Sequence, residues 1–442
     1  MGLGASAGGL EAFTQFFTHM PGDSGLAFVL VSHLDPDHES LMTELLRRST
    51  PMPVAEAGDG MRVMPNRVYV IPPNRYLSMD RGALRLSTPP EPRGLRLPID
   101  AFFRSLAEDQ GDRAVCVILS GNGTDGTLGL RAVHGAGGLS LVQAPADAKF
   151  DGMPRSAVNT GLADLVLPVP QMPAHLLAYA QQTPSVKRRP RARVVAEVPV
   201  PLQKILLLVR QHTGHDFSLY KSTTIVRRLE RRMALHQIAE PEVYARYLVE
   251  YPGEIKLLFK DLLIGVTSFF RDPEAFEALK DRIIPKLLEQ RPADQPVRVW
   301  APGCATGEEA YSLAILFREY LEEHGHRHRV NLFATDIDED AIAAARAGVY
   351  LHNIAADVSP GRLQRFFVKE GDGYRIGQEI RESVVFAVQN VIKDAPFTRL
   401  DLLSCRNLLI YLGAELQNQL VPQFHYSLNP GGCLFREHRG VH

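Results

Sequence analysis

Near the N-terminus a serine stands among small residues, Gly4-Ala5-Ser6-Ala7-Gly8, the frame of an elbow that lifts a hydroxyl clear of a strand-to-helix turn. A serine hydroxyl is a poor nucleophile until an imidazole accepts its proton and a carboxylate fixes the imidazole's tautomer. His33 ends the apolar run Leu26–Ser32, and Asp125 follows the run Ala114–Leu119 within Ser120-Gly121-Asn122-Gly123-Thr124-Asp125-Gly126. All three residues therefore stand just beyond strand-like segments, where open parallel sheets hold their ligands. The chain order Ser, His, Asp differs from the Ser, Asp, His order of α/β-hydrolases, so the serine frame does not bring that fold with it.

A second constellation has a different logic. Val297-Arg298-Val299-Trp300-Ala301 reads as a buried strand, and Gly303-Cys304-Ala305-Thr306-Gly307 as the turn into a helix over Glu309–Arg318. Such a glycine turn lets a ligand approach the backbone at a helix N-terminus. One strand-helix unit later, Leu332-Phe333-Ala334-Thr335-Asp336-Ile337-Asp338 puts an acid at a strand end, the usual place for a ribose hydroxyl. The turn is not GxGxxG, which argues against a dinucleotide. A zwitterionic methionine tail needs an acid for its amine more than a cradle for phosphates, and Glu308-Glu309 offers one, so S-adenosylmethionine is preferred over NAD or ATP. From the residues alone, first-turn charges that complement the helix dipole remain the alternative for this pair.

The elements that must position these groups fall into segments. A chain of 442 residues holds roughly two to four domains. With 49 Lys and Arg against 50 Asp and Glu, no global field selects nucleic acid or membrane as partner. No apolar run reaches transmembrane length, no signal peptide is visible, and Cys116, Cys304, Cys405 and Cys433 lack metal-ligand spacing. These features predict a cytoplasmic protein with no metal, no nucleic acid and no direct membrane insertion. Residues 1–180 alternate apolar runs (Leu26–Ser32, Arg67–Pro73, Ala114–Ser120, Leu139–Gln143, Asp164–Pro168) with helical-period stretches, the pattern of a largely parallel α/β sheet. Residues 181–201, with four prolines around Lys187-Arg188-Arg189, read as a linker. Residues 202–290 are helical in period, and residues 291–442 return to alternation, with strands at Val297–Ala301, Val330–Thr335, Val384–Ala387 and Asp401–Ser404. His324, His326 and His328 alternate in an Arg-rich turn and read as exposed.

Taken together, Gly4–Leu10, Ser32–Ser40, Ile118–Gly129 and Phe150–Ser156 resemble the catalytic domain of the chemotaxis receptor methylesterases, the CheB type. The resemblance implies Ser6 as nucleophile, His33 as general base and Asp125 as the orienting acid. Asn122 and Ala7 stand where members of that family often carry Met and Thr, and the expected first strand is short.

Further on, Gly265-Val266-Thr267-Ser268-Phe269-Phe270-Arg271, the glycine turn, Ala334–Asp338, Gln389-Asn390-Val391 and Ser404-Cys405-Arg406-Asn407-Leu408-Leu409-Ile410-Tyr411 follow in order and resemble the chemotaxis receptor methyltransferases, the CheR type. That resemblance implies S-adenosylmethionine held by Thr267, Arg271 and Glu309 at the methionine part, Asp336 at the ribose, Asn390 and Val391 at the adenine, and Arg406 and Asn407 along the pocket. Arg271 and Tyr411 are the candidates for positioning the incoming carboxylate. Gly265 replaces an Asn common in relatives.

The implied whole is an α/β multidomain protein: a parallel-sheet esterase domain, a small all-helical domain and a Rossmann-like methyltransferase domain whose last hairpin is expected to be incomplete. The implied function is methylation of receptor glutamates together with hydrolysis of the resulting methyl esters. The partners would be methyl-accepting chemotaxis receptors or similar glutamate-bearing signalling proteins. A transferase with a degenerate esterase half, or a non-catalytic S-adenosylmethionine-sensing scaffold, are the alternatives. Tyr220-Lys221-Ser222 and Arg227-Arg228-Leu229-Glu230-Arg231-Arg232 put their basic residues largely on one helical face, read either as solvated or, by the resemblance, as facing acidic receptor helices.

Overall fold

The computed structural model describes residues 1–33, 42–89, 96–182, 198–289, 291–371, 373–406 and 408–436. They form two compact units, one of Met1–Val194 with Arg227–Glu250, the other of Val195–Val226 with Tyr251–His442.

The first unit is built on a parallel seven-stranded sheet of order β3-β4-β2-β1-β7-β8-β9. Its strands are β1 (Gly2–Ala5), β2 (Ala27–Ser32), β3 (Val54–Glu56), β4 (Arg67–Val70), β7 (Val115–Ile118), β8 (Leu139–Gln143) and β9 (Leu165–Leu167), with a separate hairpin of β5 (Tyr76–Asp80) and β6 (Ala83–Ser87). Between them run α1 (Gly9–Thr18), α2 (Met42–Arg47), α3 (Pro98–Gln110), α4 (Thr127–Gly135), α5 (Gly152–Asn159) and α6 (Met172–Gln182). Crossover helices on both faces demand strands that are apolar on both sides. β2 meets that demand by alternation: Phe28 and Leu30 join the core with Phe13, Phe16 and Phe17 of α1, while Val29 and Val31 join the opposite core with Phe102 and Phe103 of α3. β1 has only four residues, yet it is paired on both sides, with β2 and β7.

The second unit holds α7 (Val200–Thr213), α10 (Pro252–Leu263), α11 (Pro273–Ala278) and α12 (Ile284–Glu289), then a five-stranded parallel sheet of order β15-β11-β10-β16-β17. Its strands are β10 (Val297–Pro302), β11 (Val330–Asp336), β15 (Val384–Val388), β16 (Leu400–Ser404) and β17 (Leu428–Phe435). The helices α13 (Glu308–Glu323), α14 (Glu339–Ala347), α15 (Pro360–Phe366), α16 (Gln378–Glu382) and α17 (Ala414–Ser427) complete it, with a small antiparallel sheet of β12 (Val349–Leu351), β14 (Gly373–Ile376) and β13 (Phe367–Glu370). Val297, Val299 and Ala301 of β10 pack into the main core with Tyr311, Ile315 and Phe317 of α13. Trp300 points to the other face, in edge contact with Phe397 and Phe424, and its indole N–H donates to Thr335 Oγ1 at 3.0 Å.

The strands read from sequence are present with ends that coincide or shift by at most three residues. The hairpin β5–β6, β3, β17 and the small antiparallel sheet were not expected. The linker assigned to 181–201 lies largely outside the described residues, although α6 runs to Gln182 and α7 opens at Val200. No described helix is long and apolar enough to cross a membrane.

The basic helix departs from the solvated reading at two of its four arginines, while Arg227 stays exposed and Arg232 half-exposed. Of α8 (Ser222–Leu235), the part from Arg227 onwards belongs to the first unit and buries Arg228 and Arg231, and α9 (Pro241–Glu250) follows it. Arg228 donates to His134 O at 3.0 Å and Gly135 O at 2.7 Å, closing carbonyls that the end of α4 leaves without intrahelical partners. Arg231 donates to Gly138 O at 2.9 Å and to both oxygens of Asp164 at 2.5 Å, with both side chains about 3% exposed or less. Ala234 joins the core beside α1. Removing one member of a buried ion pair strands the other charge, so Arg231→Ala should lower the unfolding free energy by about 3 kcal/mol or more. Urea denaturation showing a loss under about 1 kcal/mol would mean that the N–H and hydroxyl of Ser140, which donate to Asp164 Oδ2 at 2.8 and 2.9 Å, satisfy that carboxylate alone.

Candidate functional site

The serine site forms where three adjacent strands end. In the parallel register Ala5 lies beside Ser32 and Gly4 beside Ile118, so Ser6 leaves the central strand flanked by His33 after β2 and by the loop after β7. The backbone there is packed too closely for ordinary side chains. Gly8, at φ 74° before α1, has no room for a Cβ, which would lie 2.7 Å from Ser120 Oγ. A Cβ on Gly121 would lie 2.9 Å from that of Ser6 and 2.3 Å from Met153 Sδ. The glycine of the Ser120–Gly126 loop therefore lets that loop pass over the serine, and Ser6 N–H donates to Ser120 O at 2.9 Å.

His33 and Asp125 meet. Imidazole Nε2 is 2.9 Å from Asp125 Oδ2, leaving Nδ1 as the second nitrogen available to a proton. Asp125 is buried, and its oxygens also accept from the N–H groups of Ile99 (3.0 Å), Asp100 (2.8 Å) and Gly126 (2.9 Å). Two of those donors belong to the first turn of α3, where unpaired N–H groups and the helix dipole favour an anion. His33 is 37% exposed at its side chain, so the imidazole can reach solvent while its partner cannot.

In the second unit a cleft opens at the carboxyl ends of β10 and β11. Thr267, Asp336, Asn390, Val391 and Tyr411 line it, as do Ile264, Gly265, Ile337 and Leu408. Asp336 joins the two strand ends: Oδ2 accepts from Ala305 N–H at 2.8 Å in the glycine turn, and Oδ1 from Asp338 N–H at 3.0 Å. The turn needs left-handed backbone at Gly303 (φ 70°), Ala305 (φ 46°) and Gly307 (φ 93°), and a Cβ on Gly307 would come within 2.9 Å of Ala345 Cβ. Burial pushes the Asp336 carboxyl up, against the pull of the backbone N–H groups of Asp338 and Ala305.

Three residues expected at the pocket are not among those lining the cleft. Glu309 is half-buried by exposure yet enclosed, accepting from Ser404 Oγ at 2.5 Å; burial raises its carboxyl, and Ser404, Arg406 and Arg271 pull it back. Arg406 is 4% exposed and braces the loop before α11, donating to Arg271 O at 2.7 Å and to the Asp272 carboxylate between the rings of Phe276 and Phe435. That loop holds Phe270 and Asp272 at φ 46° and 58°, strained for residues with a side chain. Arg271 stands near enough to Glu309 to stabilise its charge. Asn407 lies outside the described residues.

Asn390 lines the cleft, but its groups are committed within the protein. Oδ1 accepts from Ile392 N–H at 3.0 Å, Nδ2 donates to His215 Nδ1 at 3.2 Å, and its own N–H donates to Asp394 at 2.7 Å. It shapes the turn that presents Val391. His215 and Tyr220 also line the cleft; His215 carried no signal in the sequence and Tyr220 was read only as part of the basic helical segment, because both come from the segment before α8 and lie more than 100 residues from Asp336. His328, read as exposed, is half-buried with Nε2 3.0 Å from Arg291 O.

Comparison with known proteins assigns families to three stretches of the chain. Residues 1–176 match the CheB methylesterase family, residues 201–263 the all-alpha domain of the CheR methyltransferases, and residues 265–438 the SAM binding domain of the CheR methyltransferases. An uncharacterised 104.1 kDa protein of Rhodobacter capsulatus is 41% identical over 414 residues, which cover 89% of this chain and 43% of that one. The chain thus spans less than half the length of that relative. A chemotaxis protein methyltransferase of Listeria monocytogenes is 31% identical over 228 residues, 52% of this chain and 85% of that one. A protein-glutamate methylesterase/protein-glutamine glutaminase of Pseudomonas aeruginosa is 36% identical over 190 residues, 42% of this chain and 54% of that one.

Because burial raises the Glu309 carboxyl, the folded chain holds that proton more tightly than the unfolded chain at pH values just above the ordinary glutamate range. The contribution of Glu309 to stability should therefore improve as pH falls from neutral through that window and worsen as pH rises. Denaturation of wild type and Glu309→Gln in parallel should show the variant's relative stability greatest at neutral pH and declining towards acid. A pH-independent difference would show that the carboxyl is not held above its usual range.

Proposed function

Because this chain belongs to the chemotaxis protein methyltransferase family and carries a CheB methylesterase domain ahead of the transferase domains, we propose that it both writes and erases methyl esters on glutamate side chains of signalling proteins. The observation that supports the reading is that each unit brings an acid at a strand end into a specific contact, Asp125 with the His33 imidazole in one and Asp336 with the glycine turn in the other. The domains we assign are an esterase at 1–180, a linker at 181–201, a helical domain at 202–290 and an S-adenosylmethionine-binding domain at 291–442. The partners are chemotaxis receptors or similar proteins with exposed glutamates. The four free cysteines, three of them buried, suit a cytoplasmic location.

On the esterase side, Ser6 Oγ attacks the ester carbonyl and passes its proton to His33. The imidazolium, oriented and stabilised by Asp125, then gives that proton to the departing methoxide, and methanol leaves. Water, deprotonated by the same imidazole, cleaves the acyl-serine and restores the glutamate carboxyl. The near-identical positions of Ser6 and His33 along adjacent strands, and the four hydrogen bonds on Asp125, support these roles.

On the transferase side, S-adenosylmethionine when bound supplies an electrophilic methyl group on a sulfonium. The cleft suits it in part: an acid at a strand end for the ribose and apolar Ile264, Ile337, Val391 and Leu408 for the adenine, while Glu309 and Arg271, which do not line the cleft, are assigned to the amino-acid end. A glutamate carboxylate is already ionised near neutral pH and needs no general base. The residues of the site therefore have to orient rather than to activate, and Arg271 and Tyr411 are assigned to the incoming carboxylate.

Protein incubated with methyl-labelled S-adenosylmethionine and a glutamate-bearing receptor domain should accumulate ester to a plateau while methanol is released. Ser6→Ala should lower methanol release by about a thousandfold or more, leave methyl transfer intact and raise the plateau. Asp336→Ala should weaken cofactor binding and leave ester hydrolysis unchanged. Equal plateaus in wild type and Ser6→Ala, with an esterase that acts on some other ester, would mean that the two halves serve different targets.

A further inference from the structure

The hydrogen-bond donors around His215 can be fixed one after another, beginning with a backbone N–H that has no alternative. Ile392 N–H is a donor, so the Asn390 atom 3.0 Å from it must be the carboxamide oxygen. That turns the Asn390 NH₂ towards His215 Nδ1 at 3.2 Å and makes Nδ1 an acceptor. The imidazole is buried at 2% exposure among the rings of Phe217, Tyr220 and Phe259, and burial pushes its pKa down to about 4, so it is neutral and carries its one proton on Nε2. That proton is donated to Tyr220 Oη at 3.0 Å.

The phenol oxygen therefore acts as an acceptor towards His215 and must direct its own O–H elsewhere. Among the described residues no second partner takes that proton, while Tyr220 lines the same cleft as Asp336 and feels the charge of the Asp336 carboxylate. An O–H donor and a carboxylate acceptor side by side match the hydroxyls of a ribose, each of which can both accept and donate.

We infer that Tyr220 is a ribose-binding residue of the cleft, donating its phenol O–H to a ribose hydroxyl oxygen of the cofactor, and that His215 is the positioning residue that turns it to this task. The inference rests on the reading of the cleft as an S-adenosylmethionine site and adds a donor to the acceptor that Asp336 supplies. Asn390, His215 and Tyr220 then form one relay from the adenine turn to the ribose.

The test is calorimetric binding of S-adenosylhomocysteine, and of its 2′-deoxy and 3′-deoxy analogues, to the full chain. Tyr220→Phe should weaken binding of S-adenosylhomocysteine by roughly threefold to tenfold, the range of one hydrogen bond. It should cost nothing further for the deoxy analogue that lacks the contacted hydroxyl. His215→Phe, which keeps an aromatic ring in the core, should show the same selective loss, and the double variant should be no worse than the weaker single one. Unchanged affinity in Tyr220→Phe, or an equal loss for all three ligands, would overturn the inference, the second outcome marking a merely structural tyrosine. Wild-type protein that binds none of the three would instead overturn the cofactor reading of the cleft, and the ribose contact with it.

Discussion

In each unit a carboxylate at or beyond the end of a parallel strand, buried at Asp125 and half-buried at Asp336, accepts backbone N–H groups from a second segment of chain, and the geometry of each site hangs on that contact. Asp125 takes N–H groups from Ile99 and Asp100 at the start of α3 and from Gly126, and still has an oxygen for His33. Asp336 takes N–H groups from Ala305 in the glycine turn and from Asp338. A buried charge is tolerated only where such donors converge. The segments that supply them are thereby held in one conformation, and these segments also frame the serine and the cleft. Replacing either acid would remove a functional group and the staple that places its neighbours.

The staples work because glycine lets backbones approach where a Cβ would collide. Gly121 crosses Ser6 at a distance that excludes alanine, and Gly307 starts α13 against Ala345 in a left-handed conformation. Where the chain has no glycine, it accepts strain. Phe270 and Asp272 take positive φ, and Arg406 holds them through Arg271 O and the Asp272 carboxylate. This explains how an arginine expected to face a ligand serves the cleft without lining it. Its charge also helps keep Glu309 ionised.

What the sequence made legible were the groups that follow strands, because a strand announces itself through a short run of apolar residues and the residue after it is then placed by rule. Ser6, His33, Asp125 and Asp336 were all chosen this way. The small sheet of β12, β13 and β14 has strands of three or four residues, too short for periodicity to register. The hairpin β5–β6 turns on Arg81-Gly82, both at positive φ, and arginine is not a residue that signals such a turn. The basic face of α8 misled because a charged side chain reads as solvated until its partner is known, and Asp164 lies 67 residues away. His215 and Tyr220 escaped for the same reason: a histidine and a tyrosine in a helical segment have no distinguishing spacing, and only the fold brings them to Asn390 and Asp336.

The two histidines illustrate how burial divides the labour of one side chain. His33 pairs with a buried acid yet keeps more than a third of its side chain in solvent, so protons can enter and leave as hydrolysis requires. His215 is sealed among aromatic rings, stays neutral, and has each nitrogen assigned to one neighbour. An imidazole that cannot exchange its proton is useless as a base but well suited to transmitting orientation. Ester hydrolysis needs water and a mobile proton; transfer of a methyl group from a sulfonium to a carboxylate needs neither, and gains from a fixed pocket. The opposed chemistries proposed for the two units thus call for opposite treatments of the same residue, which is a physical reason for one chain to keep them in separate sites.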